Sequence, residues 1–236
     1  MKYVGIIFAM EEELKAFKDF IEIEKEYEIF DLKFYEGIFK NITCILVESG
    51  VGKVNASRAT QILIDNMQVD FIFNIGVAGG VSNDLEVLDI VIADKLVQHD
   101  FDITAFNHEK GYIPNVGTFI SVDTYLLNVA KSLIDDDSYK IGVIASGDIF
   151  CTEKKMSEKI NQKFQALGVE MEGASIAQVC YLSHIPFLVL RSISDIPGKD
   201  NVLTYEEFLE KSSLKIASFM KRILDKLNEE MGNSNS

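Results

Sequence analysis

Residues 3–9 read YVGIIFA and are followed at once by MEEE at positions 10–13. Seven residues of apolar and small side chains without polar alternation predict a strand buried on both faces. The stretch 11–20 behind it has helical patterning. A strand of that kind belongs in a sheet covered by helices, which predicts an α/β fold. The same unit recurs outward along the chain. Apolar strands are expected at 70–75 (DFIFNI), 140–145 and 186–192, and helices at 54–67, 122–134, 153–164, 173–182 and 204–227. Shorter runs at 27–30, 33–38 and 42–48 suggest a meander, and 88–93 with 96–101 suggest two strands around a turn. The expected architecture is a mixed, mostly parallel sheet with helices on both faces. Three prolines, no low-complexity linker and no internal repeat predict a single domain over residues 1–230, with a polar tail at 231–236.

Composition narrows the function. The 236 residues carry 23 basic and 37 acidic side chains, a formal net charge of −14. That balance argues against non-specific nucleic-acid binding and against anionic lipid, both of which need clustered Lys and Arg. Three cysteines, Cys44, Cys151 and Cys180, with no CxxC spacing, predict neither a disulfide scaffold nor a structural zinc site and fit a reducing cytoplasm. The apolar start ends in three glutamates without a cleavage site, unlike a signal peptide. No apolar run approaches the roughly 18 residues of a membrane span. The histidines, His99, His108 and His184, lack metal-ligand spacing, so no metal is expected.

In α/β sheets ligands bind beyond the carboxyl ends of the strands, here just after Ala9, Glu48, Ile75, Ala145, Val169 and Ser192. After the first strand, glutamates in a first helical turn ordinarily complement the macrodipole, but three in a row leave room for one to turn inward as a base. ESGVGK (48–53) has glycines that permit close backbone approach yet lacks phosphate-motif spacing, so a tight turn is the simpler reading. GVAGG (76–80) removes side chains where a flat pocket wall or a plain turn would sit. In SGDIFC (146–151), Phe150 either stacks on an aromatic ligand or packs in the core. VEMEG (169–173) holds two carboxylates at i and i+2, facing one side of an extended segment and suited to a vicinal diol. RSISD (191–195) ends an apolar strand with polar groups that are costly unless paired, and Asp195 is a candidate general acid.

Taken in order, GIIFAMEEE, ESGVGKVNA, NIGVAGG, HDFDITAF, SGDIF, VEMEGASIA, RSISD and YEEF resemble the bacterial 5′-methylthioadenosine/S-adenosylhomocysteine nucleosidases of the nucleoside phosphorylase superfamily. The resemblance runs from residue 1 to about 227. It implies a three-layer α/β/α sandwich around a mixed, twisted sheet. It also implies cleavage of the N9–C1′ bond of a thio-substituted adenosine by water, with no cofactor. On that pattern Glu13 activates the water, Asp195 protonates adenine at N7, Ser194 orients Asp195, and Arg191 and Glu170 support. Glu172 accepts the ribose hydroxyls, Met171 packs the sugar, Phe150 stacks on adenine, and the Cys151 backbone meets the adenine edge. Val77, Ala78 and Gly79 wall the pocket. Met10, Ile103, Phe106, Pro114 and Tyr205 line the alkylthio pocket, with Ile103 and Phe106 lent across a homodimer.

Two positions depart from the pattern. Val77 stands where many members have a water-holding Ser, and His108 where an aromatic is common. The rival readings are a phosphorylase, which needs a cationic cradle for which Arg58 and Arg191 are the candidates, a futalosine-type hydrolase, and a non-enzymatic nucleoside binder.

Overall fold

The computed structural model describes residues 2–196 and 205–233. The opening run forms β1 (Lys2–Phe8), followed by α1 (Glu11–Lys18), the meander β2 (Glu22–Ile29), β3 (Leu32–Phe39) and β4 (Ile42–Glu48), and α2 (Lys53–Met67). Then come β5 (Phe71–Gly80), β6 (Ile90–Gln98), a short 3-10 turn at Thr104–Phe106, β7 (Ile120–Ser121), α3 (Thr124–Lys131) and β8 (Tyr139–Ser146). The chain closes with α4 (Lys154–Phe164), β9 (Ala166–Glu170), α5 (Gly173–Ser183), β10 (Phe187–Asp195) and α6 (Tyr205–Asn233).

β1 is parallel to β4 on one side and to β5 on the other. Alternation along β1 sets the layers. Phe8 meets Phe17 of α1 with ring centroids 5.9 Å apart. Gly5, of opposite parity, faces α2, where an added Cβ would stand 3.1 Å from Leu63 Cδ1. The glycine therefore lets α2 lie close to the sheet, and the two faces of β1 carry separate helical layers. α1 packs on α6, and α2 on α5. The expected α/β/α sandwich with a mixed sheet is the fold observed.

The sheet also does something the apolar patterns did not announce. β5 is parallel to β10 and, at its last two residues, antiparallel to β9. β9 is parallel to β8, β8 to β6, and β6 is antiparallel to β10. Five strands thus close on themselves in a ring, while β1, β4, β3 and β2 extend from it as an open sheet.

Four local expectations change. The two strands predicted at 88–93 and 96–101 are one strand, β6, whose register against β8 shifts between Ala93 and Lys95. The polar pair Asp94-Lys95, which resembles a turn in sequence, is absorbed as a bulge. β5 runs through the glycines predicted to end it. β2 begins five residues earlier than its apolar pattern indicated, because its alternating EIEKEYEI belongs to an edge strand with one exposed face. α6 continues to Asn233, past the expected start of the polar tail. Among the described residues no helix is long and apolar enough to cross a membrane.

Candidate active site

A cleft of about 160 Å³ opens where the ends of β1, β4, β5, β8, β9 and β10 converge. All six strand ends marked in the sequence contribute: Met10 and Glu13, Val51, Val77 to Gly79, Ile149 to Cys151, Val169 to Glu172, and Ser194 with Asp195.

The three glutamates after β1 have different fates. Glu11 pairs with Lys15 at the surface and Glu12 is exposed. Glu13, one residue further round the same turn, is buried. Its Oε2 accepts the N–H groups of Ala9 at 2.9 Å and Met10 at 3.2 Å, and its Oε1 accepts that of Val77 at 2.9 Å. It therefore caps its own helix and bridges to β5. Burial raises its pKa; the Arg191 charge and the three N–H groups oppose that rise. Gly76 makes the arrangement possible, since a Cβ there would stand 2.9 Å from the Glu13 Cδ. The departure at Val77 leaves this bridge intact, because the donor is backbone.

Glu170 and Glu172 do not act as a matched pair. Glu170 Oε2 accepts from the N–H of Glu172 at 3.1 Å and of Gly173 at 2.7 Å, so it caps α5. The same carboxylate pairs with the Arg191 guanidinium and accepts the Ser146 hydroxyl. Ser146 Oγ in turn accepts the Ala174 N–H at 2.7 Å. Arg191 also donates to the Asn74 carbonyl at 3.2 Å and to the Asn74 side chain, while Asn74 Nδ2 donates to Ile7 O at 3.1 Å. The side chains of Arg191 and Glu170 are 2% and 3% exposed. Arg191 does not line the cleft: it lies under it as a buried positive charge acting on Glu13 and Glu172.

Glu172 faces the cleft. Its Oε1 accepts the Gly52 N–H at 2.8 Å. Burial, with the nearby charge of Glu170, pushes its pKa up to about 7 against the pull of Arg191 and Gly52. Gly52 has φ +100°, a conformation L side chains rarely adopt, and this directs its N–H at the carboxylate. The turn predicted at 48–53 thus has a job the sequence reading did not give it.

Asp195 owes its direction to a bulge. Ile193 pairs with Ala78 and Asp195 with Gly79, so Ser194 is an extra residue and Asp195 is re-aimed relative to Arg191 and Ile193 beneath. Burial raises the Asp195 pKa, while the Ser194 hydroxyl, donating at 2.8 Å, works the other way. The Phe150 ring is 59% exposed at the cleft wall rather than packed in the core. Cys151 beside it is buried, and burial pushes its thiol upward in pKa, against a nucleophilic role.

Ile103, Phe106 and Pro114 do not reach this cleft within one chain. They sit on the segment between β6 and β7, where Phe106 is 76% exposed and His108 stacks on Tyr112 at 4.7 Å. Tyr205 opens α6, and its side chain lies outside the described residues. The sequence reading gave Asn74 and Ser146 no role in the site, and read Gly76 only as part of a pocket wall or turn and Gly52 only as part of a tight turn. Asn74 and Ser146 had a legible signal, each being a lone polar residue in or just after an apolar strand.

The fold and the carboxylate-lined cleft define a class. The profile described as the phosphorylase superfamily matches residues 3–225, and the chain belongs to that superfamily. Within it, a 5′-methylthioadenosine/S-adenosylhomocysteine nucleosidase from Oceanobacillus iheyensis is 36% identical over 227 residues, 95% of this chain and 99% of the relative. The crystal structure of the Helicobacter pylori enzyme of that name with butyl-thio-DADMe-Immucillin-A superposes with a TM-score of 0.90 at 37% identity, covering 96% of this chain and 99% of that one. A Helicobacter pylori structure described as futalosine hydrolase gives the same TM-score and identity over 95% and 98%. The chain is a member of the 5′-methylthioadenosine/S-adenosylhomocysteine nucleosidase family.

Proposed function

We propose that the protein hydrolyses the N-glycosidic bond of 5′-methylthioadenosine and S-adenosylhomocysteine, releasing adenine and the thioribose product. The observation that carries this is the gathering of Glu13, Glu172 and Asp195 in one cleft with three different surroundings. Asp195, with burial favouring its neutral form, donates a proton to adenine N7 and makes the base a better leaving group. Glu13, with three N–H donors and the Arg191 charge supporting its ionised form, takes a proton from the attacking water. Glu172 accepts the ribose hydroxyls, and its charge with that of Glu13 favours the oxocarbenium-like transition state. Phe150 stacks on the adenine, and Met10 faces the thio tail.

Among the described residues no lysine or arginine side chain lines the cleft, which supports water rather than phosphate as the nucleophile. Arg58 is paired with Asp31 at the surface, and Arg191 is committed to Glu170 in the buried floor of the cleft. The Ile103 and Phe106 contribution across a homodimer remains part of this reading, supported by the exposed apolar side chains of Val54, Phe106 and Ile149. The test is adenine release from methylthioadenosine with and without phosphate, alongside a futalosine-type nucleoside. Release without phosphate is expected; strict phosphate dependence would refute hydrolysis, and turnover of the futalosine-type nucleoside alone would move the substrate. Scattering mass at dilution checks the dimer, and a fully active monomer would remove the role of Phe106.

A further inference from the structure

Lys53 lies outside the cleft, and nothing said so far uses its ammonium. Its Nζ stands 2.7 Å from Asp100 Oδ1 and 3.1 Å from Gln98 Oε1, with both partners of the ion pair largely buried. Asp100 Oδ2 accepts the Asp148 N–H at 2.9 Å, and Asp148 Oδ1 accepts the Lys53 N–H at 2.8 Å. Three hydrogen bonds thus close a ring joining the start of α2, the end of β6 and the loop after β8. Burial would raise the Asp100 carboxyl, but Lys53 and the Asp148 N–H hold it below its ordinary value, so the ring is charge-assisted. Gln98 Nε2 extends it to Gln178 of α5 at 2.7 Å.

The ring borders both halves of the cleft. One peptide before Lys53 is the Gly52 N–H that holds Glu172. Directly after Asp148 come Ile149, Phe150 and Cys151, the wall assigned to the base. We propose that Lys53 is a positioning residue, whose ring with Asp100 and Asp148 holds the Glu172 turn and the Phe150 wall in register for one nucleoside. The proposal rests on the site reading above. It follows from separation: the Gly52 turn that holds the ribose acceptor and the loop that carries the Phe150 base platform stand some 100 residues apart in sequence, and this ring ties them directly.

The test compares Lys53→Met, Lys53→Arg and Asp100→Asn in the full chain, with Lys25→Met as a charge-loss control at an exposed pair on the sheet edge. Adenine release from methylthioadenosine is read as separate KM and kcat. Lys53→Met is expected to raise KM about tenfold with kcat changed less than about threefold, because binding shared by ground and transition states is lost. Lys53→Arg should recover part of the loss, and Lys25→Met should match the unmodified protein. The Lys53→Met/Asp100→Asn double variant should be no worse than the worse single, since the ring opens only once. A KM within about twofold of normal in Lys53→Met, with or without a lower melting temperature, overturns the proposal, as does an additive double variant. Should Lys53→Met fail to fold, Asp100→Asn is judged by the same KM criterion. Asp195→Asn separates the two readings: if it keeps normal turnover the site reading falls, whereas if it is inactive and Lys53→Met is normal, only the positioning role falls.

Discussion

The floor of the cleft and its rim are built on opposite principles. In the floor, Arg191, Glu170, Asn74 and Ser146 are buried, and most of their polar atoms, though not Arg191 Nε, bond to one another and to the backbone. At the rim, Val51, Ile149 and Phe150 expose apolar side chains to solvent. The floor sets where charge sits and is costly to break. The rim contributes surface to a ligand or a partner copy and costs the fold little when altered. Glu13, Glu172 and Asp195, the carboxylates proposed to carry the chemistry, stand at the boundary, largely buried yet lining the cleft.

The largest effect is expected at that boundary. Asp195→Asn should lower kcat about 10²–10⁴-fold with unchanged folding, which single-turnover adenine release measures. Next comes the floor. Arg191→Met leaves Glu170 as an uncompensated buried charge and should cost about 3–5 kcal/mol in denaturant unfolding. A cost under about 1 kcal/mol would mean that floor and rim differ less than their burial indicates. Phe150→Ala at the rim should weaken substrate binding by about 1–3 kcal/mol through lost stacking, read in KM, with the melting temperature almost unmoved.

The smallest effect is a pH dependence. The folded-state pKa of Glu172 is raised from 4.5 to about 7, so its protonated form is the one the fold favours. That stabilisation is complete below the unfolded value and is lost as pH rises through about 7. Glu13 and Asp195, also raised, act in the same direction. The melting temperature should therefore fall between pH 5 and about 8, and Glu172→Gln should flatten part of that fall. A melting temperature that rises over this range would contradict the burial of these carboxylates.

Much of this was legible in the order of residues. YVGIIFA and DFIFNI were readable as buried strands because burial on both faces removes polar alternation, a property visible over a few residues. MEEE, VEMEG and RSISD stood out as charge placed directly after such strands. What misled was local too: Asp94-Lys95 has the composition of a turn but occupies a bulge in one ladder, and the 76–80 glycines have the composition of a loop but continue β5.

The sequence by itself determined the α/β class, the strand ends where chemistry gathers and the family to which the motifs point. The class and the strand ends follow from periodicity and from residue types at short spacing, and the family from the resemblance of the ordered motifs. Only the tertiary structure decided that Glu170 caps a helix and neutralises Arg191 while Glu172, two residues on, faces the cleft. It also decided that a bulge at Ser194 re-aims Asp195, that β5, β6, β8, β9 and β10 close a ring, that the Gly52 N–H meets Glu172, and that Lys53 bonds to Asp100 and Asp148. The physical reason is common to all of these. Each depends on which atom of a distant segment comes within hydrogen-bond or van der Waals reach: Gly52 of Glu172, Asn74 of Arg191, Glu13 of Gly76. Such meetings are set by register and packing, which the pattern within any one segment does not contain.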